Sequence, residues 1–279
     1  MANAFSNASS GGDFAQGLVA AAIVATHSPA FLSLPNATTI HVARGTDNCV
    51  TCEPVDMTIP VEGLSAQLGV SRGDILSAIK WFVYVEGEHD AAILRALFSE
   101  PFRLNRAKVI EMHGARNVEA QITSDQLLAY SDARIRIVLD RIGASAMKAW
   151  TGAQEAFVKG DHPSAMRALN QLAEKRDRES QWLAEAGMAA LRRGTLDRID
   201  VVGLRLPDII QYLPVEDLVP GATAWDPLVR EWRAAPSPKP DFKQWIRKVK
   251  GARFTSKTLA EVAERMTDLD DLTKVVDGL

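Results

Sequence analysis

A chain of 279 residues, 47% of them hydrophobic, can build one large packed domain or a domain with appendages. Its net charge of −3 excludes a globally basic nucleic-acid binder and leaves only a locally basic surface for such a partner. Two cysteines, no signal-like start and no apolar run near ~20 residues lead to the expectation of a soluble, cytoplasmic protein without membrane contact.

Residues 1–13 are small, polar and aperiodic, which predicts an irregular start. The apolar run at 18–25 reads as a buried strand that delivers the polar turn Thr26-His27-Ser28-Pro29, with Pro29 ending any regular ladder. A second short strand is expected over 38–44, followed by a polar turn holding Cys49 and Cys52. That C-x-x-C is half of a zinc site with no second pair to complete it, so two reduced thiols are expected. Residues 61–79 read as two helical pieces, the second capped by Ser71 and Asp74.

Residues 80–90, KWFVYVEGEHD, are the stretch around which the rest of the chain is organised. Five apolar residues, mostly β-branched or aromatic and stopped by Glu86-Gly87, predict a strand buried on both faces, as in a parallel sheet. The helix after it, at about 90–99, gathers Ile93, Leu94, Leu97 and Phe98 on one face. Three more short apolar runs lie at 107–114, 134–140 and 198–204, and residues 145–193 between the last two have helical periodicity only. Strands alternating with helices predict a parallel α/β sheet. Beyond it come a proline-rich segment, a helix near 222–232 and a linker-like break at 236–241. A basic run is next, then a short acidic helix at 258–276.

Open α/β sheets carry their sites at the carboxyl edge, and several segments bring acids to that edge: Glu86, Glu88 and Asp90 after one strand, Asp140 after another, and Asp208 after the last. Converging carboxylates suit Mg²⁺ or Mn²⁺, although acids at strand ends are also ordinary solvated loop residues. His89 is either a proton carrier or a solvent-facing helix-start residue, and His113 occupies a turn. Arg116 and Asn117 are candidates for touching phosphate. Lys243, Arg247, Lys248, Lys250, Arg253 and Lys257, interleaved with Trp245 and Phe254, read either as a nucleic-acid surface with a stacked base or as a solvated helix face.

In order and spacing, VEGEHDAAILRALF, VIEMHGARNV and RIVLDRIGAS resemble the TOPRIM domain of the OLD (overcoming lysogenization defect) family of ATP-dependent endonucleases. PDIIQYLP is similar to a later motif of that family, in which an acid precedes a Tyr-Leu pair. VATHSPAFL is similar to the final strand and switch histidine of the ATPase domain that precedes TOPRIM there. The resemblance spans roughly residues 18–225. It implies a TOPRIM-like (Rossmann-like) parallel sheet flanked by helices, an N-terminal β remnant of an ATPase domain and a C-terminal helical segment. The corresponding boundaries are 1–72, 73–222 with a helical insertion near 145–193, and 223–279.

The implied activity is a Mg²⁺- or Mn²⁺-dependent DNA endonuclease. Glu86 and Asp140 would hold the metal, and Asp90 would add a ligand or position water. No G-x-x-x-x-G-K-[ST] occurs, so ATP is not expected to bind in cis; His27 is then a vestigial switch, and a separate ATPase subunit or a homo-oligomer is a possible assembly. Where the family has Asp-x-Asp, this chain has Asp140-Arg141-Ile142, and Glu88 or Asp208 would have to supply the missing charge. The competing reading is a catalytically impaired module that binds DNA or docks on a separate ATPase.

Overall fold

The computed structural model describes residues 78–112, 133–140, 142–175, 177–236, 241–252 and 254–279, with two short strands at 40–44 and 50–54. Those two, β1 (Ile40–Arg44) and β2 (Val50–Pro54), pair antiparallel, Val42 opposite Cys52. The polar turn expected around Cys52 is therefore strand: Val50, Thr51 and Cys52 favour extended backbone and have a partner ladder in β1. The candidate residues His27, Arg116 and Asn117 lie outside the described residues, as do His113, Arg253, the run at 18–25 and most of 61–79.

The body of the protein is a four-stranded, all-parallel sheet flanked by helices, a Rossmann-like α/β arrangement. Its strands are β3 (Trp81–Val85), β4 (Ala107–Glu111), β5 (Arg134–Asp140) and β6 (Ile199–Leu204), in spatial order β4-β3-β5-β6. Every residue of β3 is buried, as expected of a central strand covered on both sides. Helices α1 (Glu88–Leu97) and α2 (Ser99–Leu104) connect β3 to β4. Three helices, α3 (Ala144–Val158), α4 (His162–Ala173) and α5 (Arg178–Arg193), fill the long β5–β6 crossover. After β6 come the short α6 (Val215–Leu218), then α7 (Trp225–Ala234), α8 (Phe242–Lys250) and α9 (Ser256–Ala263).

Side-chain alternation divides the sheet into two cores. Phe82, Tyr84, Ile135, Ile137, Leu139 and Val201 face one way and pack with Trp150, Leu169, Leu172 and Leu183 of α3–α5. Trp81, Val83, Val85, Val138, Val202 and Leu204 face the other way, onto Ile93, Leu94 and Phe98, and onto Trp245, Ile246, Leu259, Leu272 and Val275. The C-terminal helices thus form a covering layer of the sheet and share its core. In that layer Trp245 is 6% and Phe254 5% exposed, which removes both from the base-stacking role considered for them. Trp245 is drawn inward because α8 needs it with Phe242 and Ile246 as its apolar stripe, and Phe254, just past the helix, packs into the same core.

Gly203 of β6 has a steric reason to lack a side chain. A Cβ there would collide with Cγ2 of Ile142, which packs with the α3–α5 core beside Met147. Position 142 is thus filled by packing on the face away from α1 and α8. Gly203→Ala is expected to lose about 1–3 kcal/mol by overpacking, part of it restored by adding Ile142→Ala; urea denaturation of the single and double variants measures both.

Candidate metal centre

The strand order reverses between β3 and β5, since the chain leaves β3 for β4 on one side and returns to β5 on the other. In open parallel sheets the crevice beyond the carboxyl ends at such a point is where ligands bind. Three carboxylates meet there. Asp90 comes from the first turn of α1, Asp140 ends β5, and Asp208 is the N-cap of a 3-10 turn at Ile209–Tyr212 just after β6. One oxygen from each lies within 4.8 Å of the others.

Local structure accounts for each position. Glycine at the head of α1 leaves its first amides without a side-chain cap, and Asp90 Oδ2 accepts from Gly87 N at 2.9 Å. Asp140 continues the alternation of Val138, which turns it toward the face covered by α1 and α8. Asp208 Oδ1 accepts from Ile210 N at 3.0 Å, which orients its carboxylate.

A fourth residue completes the cluster. Lys243, in the first turn of α8, places Nζ 3.4 Å from Asp90 Oδ1 and 3.1 Å from Asp208 Oδ1. The sequence suggested a surface lysine in a basic run, but this one is turned inward. Its signal was its neighbours: Phe242, Trp245 and Ile246 are all buried, so position 243 borders the buried stripe of α8.

The electrostatics follow from crowding. Burial, then repulsion from Asp90 and Asp208, holds the Asp140 carboxyl well above its ordinary value, with Lys243 pulling against them. Burial also raises Asp208, opposed by Lys243 and the Ile210 amide. Burial alone would lower the Lys243 ammonium, but Asp90 and Asp208 outweigh it and the net shift is upward. With all four ionised, the cluster keeps a formal excess of two negative charges, the complement of one divalent cation.

Glu86 stands apart from the triad. It follows Phe82 and Tyr84 in the alternation, is exposed, and is not one of the three acids within 4.8 Å. It remains near enough to feel them: the partial shielding of its carboxyl by neighbouring atoms, then Asp90, raises it, and Glu179 of α5 adds to this from the other face. Asp208 is one of the three clustered acids, whereas Glu88 turns outward, its side chain 67% exposed, with Oε1 3.5 Å from His89 Nε2.

The His89 side chain is only 12% exposed, in place of the solvent-facing position considered for it, because α8 covers it. Arg247 Nη2 lies 3.3 Å from its Nε2 and donates to Phe254 O at 3.1 Å. Burial, then Lys243 and Arg247, lowers the imidazole pKa. Arg247 and Lys248 are exposed, as a backbone-contacting surface requires, while Lys250 pairs with Glu231 at 2.7 Å and Lys257 with Glu261 at 3.8 Å.

An all-oxygen donor set with spare negative charge fits a hard cation such as Mg²⁺ or Mn²⁺ better than zinc or copper. No helix among the described residues is long and apolar enough to cross a membrane. Comparison with protein-family models, curated proteins and solved structures gives no match in any of the three.

Proposed function

We propose that this protein is a Mg²⁺- or Mn²⁺-dependent DNA endonuclease of the TOPRIM type. The observation that carries the reading is the convergence of Asp90, Asp140 and Asp208, from three different strand-to-helix connections, at the switch point of a parallel sheet. The resemblance of the segments around Glu86, Asp140 and Asp208 to the OLD endonucleases gives the same chemistry. When bound, the metal neutralises phosphate charge and activates water for phosphodiester cleavage.

The chain's own residues then divide the work. Asp140 and Asp208 hold the cation, with Asp90 fixed against them by the Gly87 amide. Glu86 stands outside the triad and contributes only through its electrostatic reach to Asp90. Arg247 and Lys248 carry the DNA backbone.

A plasmid-nicking assay with Mg²⁺ or Mn²⁺ tests this. Asp208→Asn removes a ligand worth several kcal/mol of charge stabilisation, so a loss of about 10²-fold or more is expected. Cleavage that persists in Asp208→Asn and also in Glu86→Ala would overturn the site assignment.

Lys243 supports a second reading. An ammonium at 3.1–3.4 Å from two of the acids satisfies them without any metal, as in a module that binds DNA or docks on a separate ATPase without cutting. Wild-type protein that shifts DNA in a gel but never nicks it favours that module.

A further inference from the structure

Asp208 is delivered by the loop that follows β6. Arg205 and Pro207 are exposed, and the stretch from the end of β6 to Asp208 is a series of bends. Yet the first two amides of that stretch converge on one atom: Arg205 N and Leu206 N donate to the Tyr212 hydroxyl at 3.0 and 3.1 Å. Asp271 Oδ2 accepts from the same Arg205 N at 3.0 Å, which sets the carboxylate beside the hydroxyl as its hydrogen-bond acceptor. Asp271 is 6% exposed and belongs to the C-terminal 3-10 turn at Asp270–Val275, anchored by the buried Leu272 and Val275.

We infer that Tyr212 and Asp271 are positioning residues for Asp208, forming a latch that closes residues 205–212 into a ring around it. The inference rests on the reading of the carboxylate cluster as a cation site. Tyr212 ends the 3-10 turn that Asp208 begins, so its hydroxyl grips the chain just before Asp208 while its backbone stands one turn after it. Both flanks of the ligand are thereby fixed to the same ring. A short side chain such as aspartate goes where its backbone goes, and slack in this loop carries Asp208 away from Asp90 and Asp140. Burying Asp271 with Oδ1 unpartnered is a costly way to fill space, which apolar packing would do more cheaply. What the carboxylate adds is direction, as the acceptor that faces both the Arg205 amide and the hydroxyl that holds the two amides.

The test is a calorimetric Mn²⁺ titration of the full chain, run beside residue-resolved amide exchange at Ile210, whose N–H donates to Asp208. Tyr212→Phe removes one oxygen and keeps the ring; Asp271→Asn keeps an acceptor. Gln154→Leu is the control, since it deletes hydrogen bonds to Leu196 O and Ile199 O at the opposite end of β6. Tyr212→Phe is expected to weaken Mn²⁺ about tenfold and to speed Ile210 exchange, with Asp271→Asn intermediate and Gln154→Leu unchanged in both. Wild-type affinity and exchange in Tyr212→Phe, or equal changes in Gln154→Leu, would overturn the latch. If the wild type binds no Mn²⁺, the cation reading fails by itself; Ile210 exchange then decides, faster in Tyr212→Phe supporting the latch and unchanged overturning it.

Discussion

Asp140→Asn is expected to abolish metal-dependent nicking, by about 10²-fold or more, and at the same time to raise the melting temperature of the metal-free protein at neutral pH. Both effects have one origin. Burial and the charges of Asp90 and Asp208 raise the Asp140 carboxyl on folding. An acid whose pKa rises on folding contributes stability that is fully present below its unfolded value. That contribution is lost as the pH climbs through the folded value. Above its unfolded value the acid is therefore a burden on the fold, whether it ionises or keeps its proton, and the amide relieves it, at roughly 2–4 °C per kcal/mol for a domain of this size.

The sign makes the prediction specific. The advantage of Asp140→Asn over wild type shrinks as the pH is lowered toward the ordinary aspartate range, because the wild-type carboxyl is then neutral as well. Adding Mn²⁺ reverses the ranking: the wild type gains melting temperature by mass action and the variant does not. Scanning calorimetry at several pH values, with and without Mn²⁺, reads all three. A variant less stable than wild type at pH 7 without metal would overturn the electrostatic account.

Arg136→Ala is expected to lose roughly 3–5 kcal/mol, near the lower end because Asp200 can still reach water. Arg136 is 4% exposed on the face covered by the C-terminal layer. Its guanidinium donates to Asp200 through Nε at 2.9 Å and to Val275 O through Nη1 at 2.9 Å, and lies 4.9 Å from the centroid of the Trp81 ring. The truncation removes a sheet-to-C-terminus tie and an ion pair at once. Asp200→Ala is expected to cost at least as much, since it leaves a buried guanidinium without its anion. Arg136→Met with Asp200→Leu should recover a large part, because the cost lies in the unpaired charge more than in the lost pair. Urea midpoints of the four proteins check the order; a double variant as weak as the worse single would overturn it.

The sequence read the centre of this fold well where its signals were local. WFVYV was legible as a doubly covered strand because a short run of β-branched and aromatic residues stopped by Glu86-Gly87 suits a central parallel strand better than a helix, and β4, β5 and β6 came from the same kind of run. Asp90, Asp140 and Asp208 were legible as acids at strand exits. The inward turn of Lys243 was not, since it depends on α8 packing across α1, a contact between residues 153 apart. Nor was the outward placement of Glu86, which was set by the alternation of β3: one residue past a strand, parity alone decides the face. Ile142 looked like a missing ligand and is a packing residue matched to Gly203. The buried destinations of Trp245 and Phe254 had the same long-range origin, for a basic run with aromatics reads alike whether the rings stack on bases or on a core.

The span between Lys243 and Asp90 also bears on when the site comes into being. Its closing contacts join residues 153 apart, and the tie from Arg136 to Val275 joins residues 139 apart. Contacts of such separation form late, since the loop they close must first lose its freedom. The sheet and its acids are therefore expected to form before the helix that brings their counter-charge. Until α8 packs across α1, Asp90 and Asp208 have no Lys243 beside them, so the counter-charge of the cluster is supplied from the far end of the sequence.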